Sequence, residues 1–312
     1  MVKKILSCDW GTSSFRLRLI NVADKSVLGE TTSGDGIAVL HNNWLQSDRV
    51  KNERIGFYTD ILLSQIEKLD NHYLAGIPII ISGMASSSIG ITELPYGDIP
   101  FRMNSTRLNV QRIVPGRKYP HEILLVSGLK AKDDVMRGEE TMLLGCEISE
   151  EGEQLIIFPG THSKHVLVKG NLLVDFKTFM TGEVFDLLSN KSILSGSVKI
   201  NEWLTHQNIF EKGLLEGAEN NLLNAIFHVR TSHLFKSLNP EENYHFLSGI
   251  LIGSELKRIA GTKIKILLVC GQPLYERYWR GLQLLCGKEN LQYQDADKSL
   301  IAGHCKLATQ FL

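Results

Sequence analysis

Two short stretches of this chain carry residue types suited to gripping phosphate. Asp9-Trp10-Gly11-Thr12-Ser13-Ser14 and Pro159-Gly160-Thr161-His162-Ser163-Lys164 each set a glycine and a threonine in a tight turn between apolar runs. Glycine lets the backbone approach an anion closely, successive amides present donors to its oxygens, and neighbouring hydroxyls add more. Gly11, Thr12 and Ser13, with Gly160, Thr161, His162 and Ser163, are therefore candidate contacts for the phosphates of a nucleotide. Lys164 either reaches a phosphate oxygen or stands as a solvated strand lysine. Asp9 adds a carboxylate able to hold magnesium, through water, because this ion keeps much of its hydration shell. Pro159 takes that place in the second copy, so the two turns have separate duties. One such turn in each half would let the pair face each other across a cleft.

Other stretches offer further chemistry. The loop Ser82-Gly83-Met84-Ala85-Ser86-Ser87-Ser88-Ile89-Gly90 follows an apolar run, Ile77–Ile81, and a loop at the carboxyl end of a strand is where open α/β sheets bind ligands. Gly138-Glu139-Glu140 opens a short helix whose acidic first turn suits the helix dipole, and that role is enough for at least one of the two glutamates. His162 and His165 have a His-x-x-His spacing, but on a hairpin without a third ligand nearby no zinc site is expected. Arg16 and Arg18 share one strand face and read as solvent-facing. The chain contains no G-x-x-x-x-G-K-[ST] loop, no G-x-G-x-x-G fingerprint, no H-E-x-x-H and no G-x-S-x-G elbow.

The elements that must carry these residues are legible as a repeat. Lys4–Cys8 is a buried strand, Phe15–Leu19 alternates with the period of a half-buried strand, and Val27–Thr32 follows a turn. The later series is Leu155–Phe158, His165–Val168 and Leu172–Phe176, and Gly11 matches Gly160 at an offset of 149 residues. Between them Ile55–Leu69 has helical spacing and Ile123–Val126 is another buried strand. Thr181 is placed to cap a helix through Leu188, Pro240 to begin one through Lys257, and Lys265–Val269 to lead through Cys270-Gly271-Gln272 into a helix ending near Cys286. The reading is an α/β chain of two domains, 1–128 and 129–312, each built on one copy of the unit.

These motifs resemble a known superfamily. Cys8–Arg16 is similar to the first phosphate motif of the sugar kinase, heat-shock ATPase and actin superfamily, and Pro159–Lys164 to its second. Lys265–Val269 with Cys270-Gly271-Gln272 resembles its adenosine motif, which makes Gly271 a nucleotide-binding candidate. A narrower likeness is to the 2-dehydro-3-deoxygalactonokinases, carried by Met136–Gly145, Pro159–Lys164, Thr181-Gly182-Glu183, Phe246–Gly253, and Ser82-Gly83-Met84 with Ser87 and Gly90. The resemblance implies a duplicated actin-like (ribonuclease H-like) fold and phosphorylation of 2-dehydro-3-deoxy-D-galactonate at its terminal C6 hydroxyl, with ATP and Mg2+. It points to Glu139 as the base, because sugar kinases place an acid shortly before the second phosphate motif; Asp9 is the rival, and Glu140 adjoins. Arg137 and the loop residues Ser82, Gly83, Met84 and Ser87 are then candidates for the substrate, whose carboxylate needs a cation or convergent donors. Two alternatives stay open: a kinase of another sugar on the same fold, and a non-catalytic sugar- or nucleotide-binding regulator.

Composition narrows the classes. The 312 residues are about twice the commonest domain size of roughly 100–150. The 34 basic residues balance 34 acidic ones, which argues against a general nucleic-acid binder. Five dispersed cysteines without a C-x-x-C pair suit a reduced compartment, and the N-terminus lacks the apolar core of a secretion signal. The expectation is a cytoplasmic enzyme whose partners are a small sugar acid and ATP, with neither nucleic acid nor membrane, and with a homodimer as its assembly. The Asn104 sequon is given no meaning in that setting.

Overall fold

A computed structural model describes residues 2–47, 50, 53–69, 74–103, 108–201 and 206–312; Asn104 lies outside them. The chain forms two compact units, one of residues 1–150, 171–175 and 296–312, the other of residues 151–170 and 176–295.

The first unit opens with β1 (Lys4–Trp10), β2 (Phe15–Asn21) and β3 (Val27–Ser33), followed by helices α1 (Ile37–Leu45) and α2 (Arg54–Ile66). It continues with β4 (Ile79–Gly83), the two-residue strands β5 (Gly97–Asp98) and β6 (Phe101–Arg102), then β7 (Val110–Ile113) and β8 (Ile123–Val126). Two more short strands, β9 (Leu129–Lys130) and β10 (Val135–Met136), lead into helix α3 (Glu139–Leu144). Its main sheet has the order β3-β2-β1-β4-β8-β7. The apolar stretches of β1 and β4 lie in the middle, buried on both faces, whereas β3 alternates as an edge strand should. Trp10, Phe15, Tyr58 and Leu62 anchor the core under β1 and β2.

The second unit repeats the plan. Its strands are β11 (Glu153–Phe158), β12 (Ser163–Lys169), β13 (Leu172–Phe179, of which residues 172–175 group with the first unit), β14 (Lys265–Cys270) and β15 (Leu291–Asp295). Helices α4 (Thr181–Lys191), α5 (Gln207–Glu219), α6 (Leu222–Leu234) and α7 (Pro240–Leu256) fall between β13 and β14. Helix α8 (Gln272–Cys286) follows β14, and α9 (Ala296–Phe311) closes the chain and belongs with the first unit. The order β15-β14-β11-β12-β13 reproduces β8-β4-β1-β2-β3, with β1-β2 and β11-β12 antiparallel and with β1-β4-β8 and β11-β14-β15 parallel. A shared strand order with shared directions is what a duplicated unit produces.

The division differs from a cut at residue 128. β9, β10 and α3 group with the first sheet, because α3 packs on α9 and both sit in that unit. A helix returning from the far end of the chain leaves no local signal at the point where it crosses back.

Helix α7 begins with a full capping box: Asn239 accepts from the Glu242 amide, the Glu242 side chain reaches back to the Asn239 amide, and Pro240 fills the first turn. It is buried on most sides, with Ile252 and Leu256 in one apolar cluster and Phe246, Leu247, Ile250 and Leu251 in another. That burial carries a charged residue, Glu255, into the interior of the second unit.

Candidate active site

In the first unit the β1–β2 turn is tight, with the Gly11 amide donating to Ser14 O at 2.9 Å. Helix α1 starts on it: the amides of Ile37 and Ala38 donate to the carbonyls of Gly11 and Thr12, both at 3.0 Å. Thr12 and Ser13 are exposed. Asp9 lies opposite Arg16 in the strand register. Burial pushes the Asp9 carboxyl up; Arg16 and Arg18 pull it down, while Asp297 and Glu139 push it up again, and the net is upward.

The arginines differ from the sequence expectation. Arg18 is buried, its guanidinium paired with Asp297 at 2.6 Å and with Glu30. Arg16 also holds Asp297, at 2.7 and 2.9 Å. Neither is a free solvent-facing cation, because the last helix brings a carboxylate to the face they share.

The loop after β4 closes beside Asp9. Gly83 has φ 90°, and a Cβ there would fall 2.7 Å from the Trp10 carbonyl oxygen and 3.6 Å from Asp9 Oδ1, so only glycine allows the two strand ends to meet. Ser82 is buried, its Oγ 3.1 Å from Nε2 of His304, whose Nδ1 stands 2.6 Å from Ser7 Oγ. The Ser87 hydroxyl donates to Met84 O at 2.7 Å and so closes its own turn. Met84 packs against the core. Ser86, outside the predicted set, receives Arg137: Nη1 donates to Ser86 O at 2.7 Å and to its Oγ at 2.5 Å. The guanidinium also stacks over Tyr96, 4.3 Å from the ring centre, and its Nε is buried with no hydrogen-bond partner.

The structure separates the two glutamates of α3. Glu140 is 1% exposed, accepts from the Gly138 amide at 2.7 Å and the Thr141 hydroxyl at 3.0 Å, and is pushed up to about 8 by burial and then by Glu139. Glu139 is partly buried, accepts from the Arg137 amide at 3.0 Å, and is close enough to Asp9 to raise its pKa.

In the second unit the Gly160–His162 turn is packed against the start of α4. A Cβ on Gly182 would lie 2.6 Å from Gly160 O, and the Glu183 amide donates to Thr161 O at 3.1 Å. His162 Nε2 meets Glu183 Oε2 at 2.5 Å, while His165 turns to Glu255, so the two histidines diverge. Ser163 is buried with its hydroxyl on Glu255, and Lys164 is buried with its ammonium on His162 O at 2.8 Å, so it is not a solvated strand lysine. Thr181 is not the cap: Met180 holds that position, and the Thr181 hydroxyl donates inward to Glu255. Beside the turn lies a cavity of about 170 Å³ lined by Gly160, Thr181, Gly182, Phe185, Tyr244 and Tyr278 among others. Gly271 begins α8, which contributes Leu274, Arg277 and Tyr278 to that lining.

Sequence reasoning missed Asp297, His304 and Glu255. Each meets its partners across long separations, and neither its type nor its spacing signals this.

A duplicated β-sheet plan with a phosphate-type hairpin in each copy defines the actin-like (ribonuclease H-like) ATPase fold, the class that includes the sugar kinases. Within it, this chain belongs to the 2-keto-3-deoxy-galactonokinase family, whose sequence model matches residues 9–307. It is 32% identical over 311 residues to a protein of Rhizobium meliloti (strain 1021) named "Probable 2-dehydro-3-deoxygalactonokinase", covering 95% of this chain and 93% of that one. It is 32% identical over 216 residues to the 2-dehydro-3-deoxygalactonokinase of Escherichia coli (strain K12), covering 67% and 71%. A Sinorhizobium meliloti crystal structure assigned to a 2-dehydro-3-deoxygalactonokinase superposes with a TM-score of 0.81 at 30% identity, covering 98% of this chain and 96% of that one.

Proposed function

We propose that the protein transfers the terminal phosphoryl group of ATP to the C6 hydroxyl of 2-dehydro-3-deoxy-D-galactonate. The observation that carries the reading, beside family membership, is Arg137. Its guanidinium is locked on Ser86 and Tyr96, its Nε is a buried donor with no protein partner, and it lies two residues before Glu139. A cation with an unspent donor suits the carboxylate of a sugar acid, and a partly buried carboxylate suits the proton of an alcohol.

Glu139 is the base in this reading and Asp9 the metal residue. The hydroxyl oxygen bonds to the γ-phosphorus, the bond from that phosphorus to the bridging oxygen breaks, ADP leaves, and the hydroxyl proton passes to the Glu139 carboxylate. Glu140 takes no part, since its oxygens are spent on α3's own turn. Among the described residues no group of three metal-binding side chains exists, and in this reading Asp9 alone would hold the Mg2+ ion that comes with the nucleotide. Bound there, the ion would neutralise phosphate charge. In the second unit the Gly160–His162 turn contacts the phosphates and the cavity beside Gly160 receives the nucleoside, with Gly271 shaping the start of its α8 wall; in the first unit the Gly11–Ser13 turn is the phosphate candidate. Ser163 and Lys164 brace their turn from beneath, and Ser82, Gly83, Met84 and Ser87 shape the substrate loop.

The finer setting belongs to the same reading. The five cysteines are free, which supports a reduced, cytoplasmic setting; among the described residues no helix is long and apolar enough to cross a membrane. Leu223, Phe227 and Leu234 are exposed on α6 and would be covered in a homodimer, which sedimentation would detect.

The test is a coupled ATP-consumption assay over 2-keto-3-deoxy acids differing at one hydroxyl centre, with the product phosphate position read by NMR. Turnover confined to the galacto acid, giving the 6-phosphate, is expected. Phosphorylation of a neutral sugar instead would favour another sugar kinase, and nucleotide binding without transfer to any acid would favour a regulator.

A further inference from the structure

Glu255 lies in the last turn of α7, 3% exposed, and its carboxylate accepts four side-chain hydrogen bonds. Ser163 Oγ donates to Oε1 at 2.6 Å, and His165 Nε2 is 2.9 Å from the same oxygen. Tyr278 OH donates to Oε2 at 2.8 Å, joined there by the Thr181 hydroxyl. Two donors on each oxygen use the acceptor capacity of a carboxylate in full. Burial alone would push this carboxyl up, but the hydrogen bond and charge of His165, with the hydroxyls of Ser163 and Thr181, outweigh it and hold it below the ordinary value.

The four partners come from three separate elements. Ser163 and His165 open β12, directly after the Gly160–His162 turn; Thr181 begins α4; Tyr278 stands on α8. Thr181 and Tyr278 also line the 170 Å³ cavity, whereas Ser163 and His165 do not. One buried charge therefore ties the phosphate turn to two walls of the cavity. Stability alone is a weak reason for such a charge, since apolar residues of similar volume commonly serve a core as well.

We propose that Glu255 is a positioning residue: it sets the placement of the Gly160–His162 turn relative to the cavity, so that nucleotide affinity and phosphate alignment both depend on its carboxylate. This rests on the ATP-dependent reading above. The experiment compares purified full-length wild type and Glu255→Gln by titration with a non-hydrolysable ATP analogue, by steady-state kinetics and by thermal melting. Glutamine keeps the size but presents an amide donor where two donors already converge. The expected result is a loss of about tenfold or more in nucleotide affinity and a fall in kcat, with the KM for the sugar acid unchanged. A lower melting temperature with nucleotide affinity and kcat within about twofold of wild type would overturn the proposal.

If that variant fails to fold, Ser163→Ala, Tyr278→Phe and the double variant take its place. Ser163→Ala leaves the cavity lining intact, so a loss of about threefold or more in nucleotide affinity, non-additive with Tyr278→Phe, is expected. Unchanged affinity in Ser163→Ala, or simple additivity, would overturn it. Wild-type protein that binds no nucleotide would instead remove the kinase reading, so the two failures are distinguishable.

Discussion

Asp297 holds Arg16 through both carboxylate oxygens, at 2.7 and 2.9 Å, across 281 residues of sequence. The consequence falls on Asp9, which lies opposite Arg16 in the β1–β2 register. On the proposed reading, Asp297 holds Arg16 back from Asp9 and so leaves the Asp9 carboxylate to the Mg2+ ion. Asp297→Asn should therefore raise the Mg2+ concentration needed for half-maximal activity several-fold, as Arg16 is released to compete for Asp9. The melting temperature should also fall, since Asp297 is a partner of the buried Arg18 as well, so the Mg2+ requirement is compared at a temperature where every variant is folded. Arg16→Ala in the same background should restore the lower Mg2+ requirement. No recovery in the double variant would show that Asp297 acts otherwise.

On the proposed reading the two acids divide the work, and two substitutions separate them. Glu139→Gln preserves the acceptor for the Arg137 amide, so the start of α3 should survive. It should lower kcat by roughly 10²–10⁴-fold, the usual worth of a positioned base, with both KM values nearly unchanged. Asp9→Asn should act mainly on the metal requirement, with activity partly recovered at high Mg2+. Should Asp9→Asn abolish turnover at saturating Mg2+ while Glu139→Gln retains it, the roles are reversed.

Arg137 gives the acid-specific prediction. A charge-assisted hydrogen bond is worth about 1.5–3 kcal/mol, so Arg137→Ala should raise the KM for the sugar acid by roughly 10–100-fold and leave that for ATP unchanged. The guanidinium bonds the loop through Ser86, so Ser86→Ala should reproduce part of the loss by letting the arginine drift. An equal rise in both KM values would mean that Arg137 supports the fold of the loop rather than the acid.

What was legible in the sequence was whatever a short window contains. The period-two runs and Gly-Thr turns identified the strands of both hairpins, and the match of Gly11 to Gly160 anticipated the shared strand order. Helix α7 announced itself through Pro240, whereas its Asn239 cap showed only in the structure. The chemistry beneath the hairpins was not legible, because it is long-range: Ser82 meets His304 over 222 residues and Ser163 meets Glu255 over 92. A histidine or glutamate on an amphipathic helix reads as solvated until the fold shows what it faces. Thr181 misled for a related reason: its residue type suits a helix cap, but a buried carboxylate claimed the hydroxyl.

Two buried groups with opposite shifts shape the pH dependence of stability. Glu140 is raised from 4.5 to about 8 by burial and by Glu139, so the folded protein keeps a proton that the unfolded chain has lost, and stability falls as pH rises from 4.5 to about 8. His304 is lowered from 6.5 to about 3 by burial and then by Arg18, so the folded protein lacks a proton that the unfolded chain binds, and stability falls as pH drops from 6.5 to about 3. Each contributes a slope of about 1.4 kcal/mol per pH unit, of opposite sign. Between pH 4.5 and 6.5 the two cancel; above that window Glu140 dominates, and below it His304 does. Denaturant titrations across pH should show Glu140→Gln losing the decline between pH 6.5 and 8 relative to wild type, and His304→Gln losing the decline on the acid side. Parallel pH profiles for wild type and Glu140→Gln would mean that Glu140 is ionised in the folded protein, and that the Gly138 amide and Thr141 hydroxyl are enough to stabilise its charge.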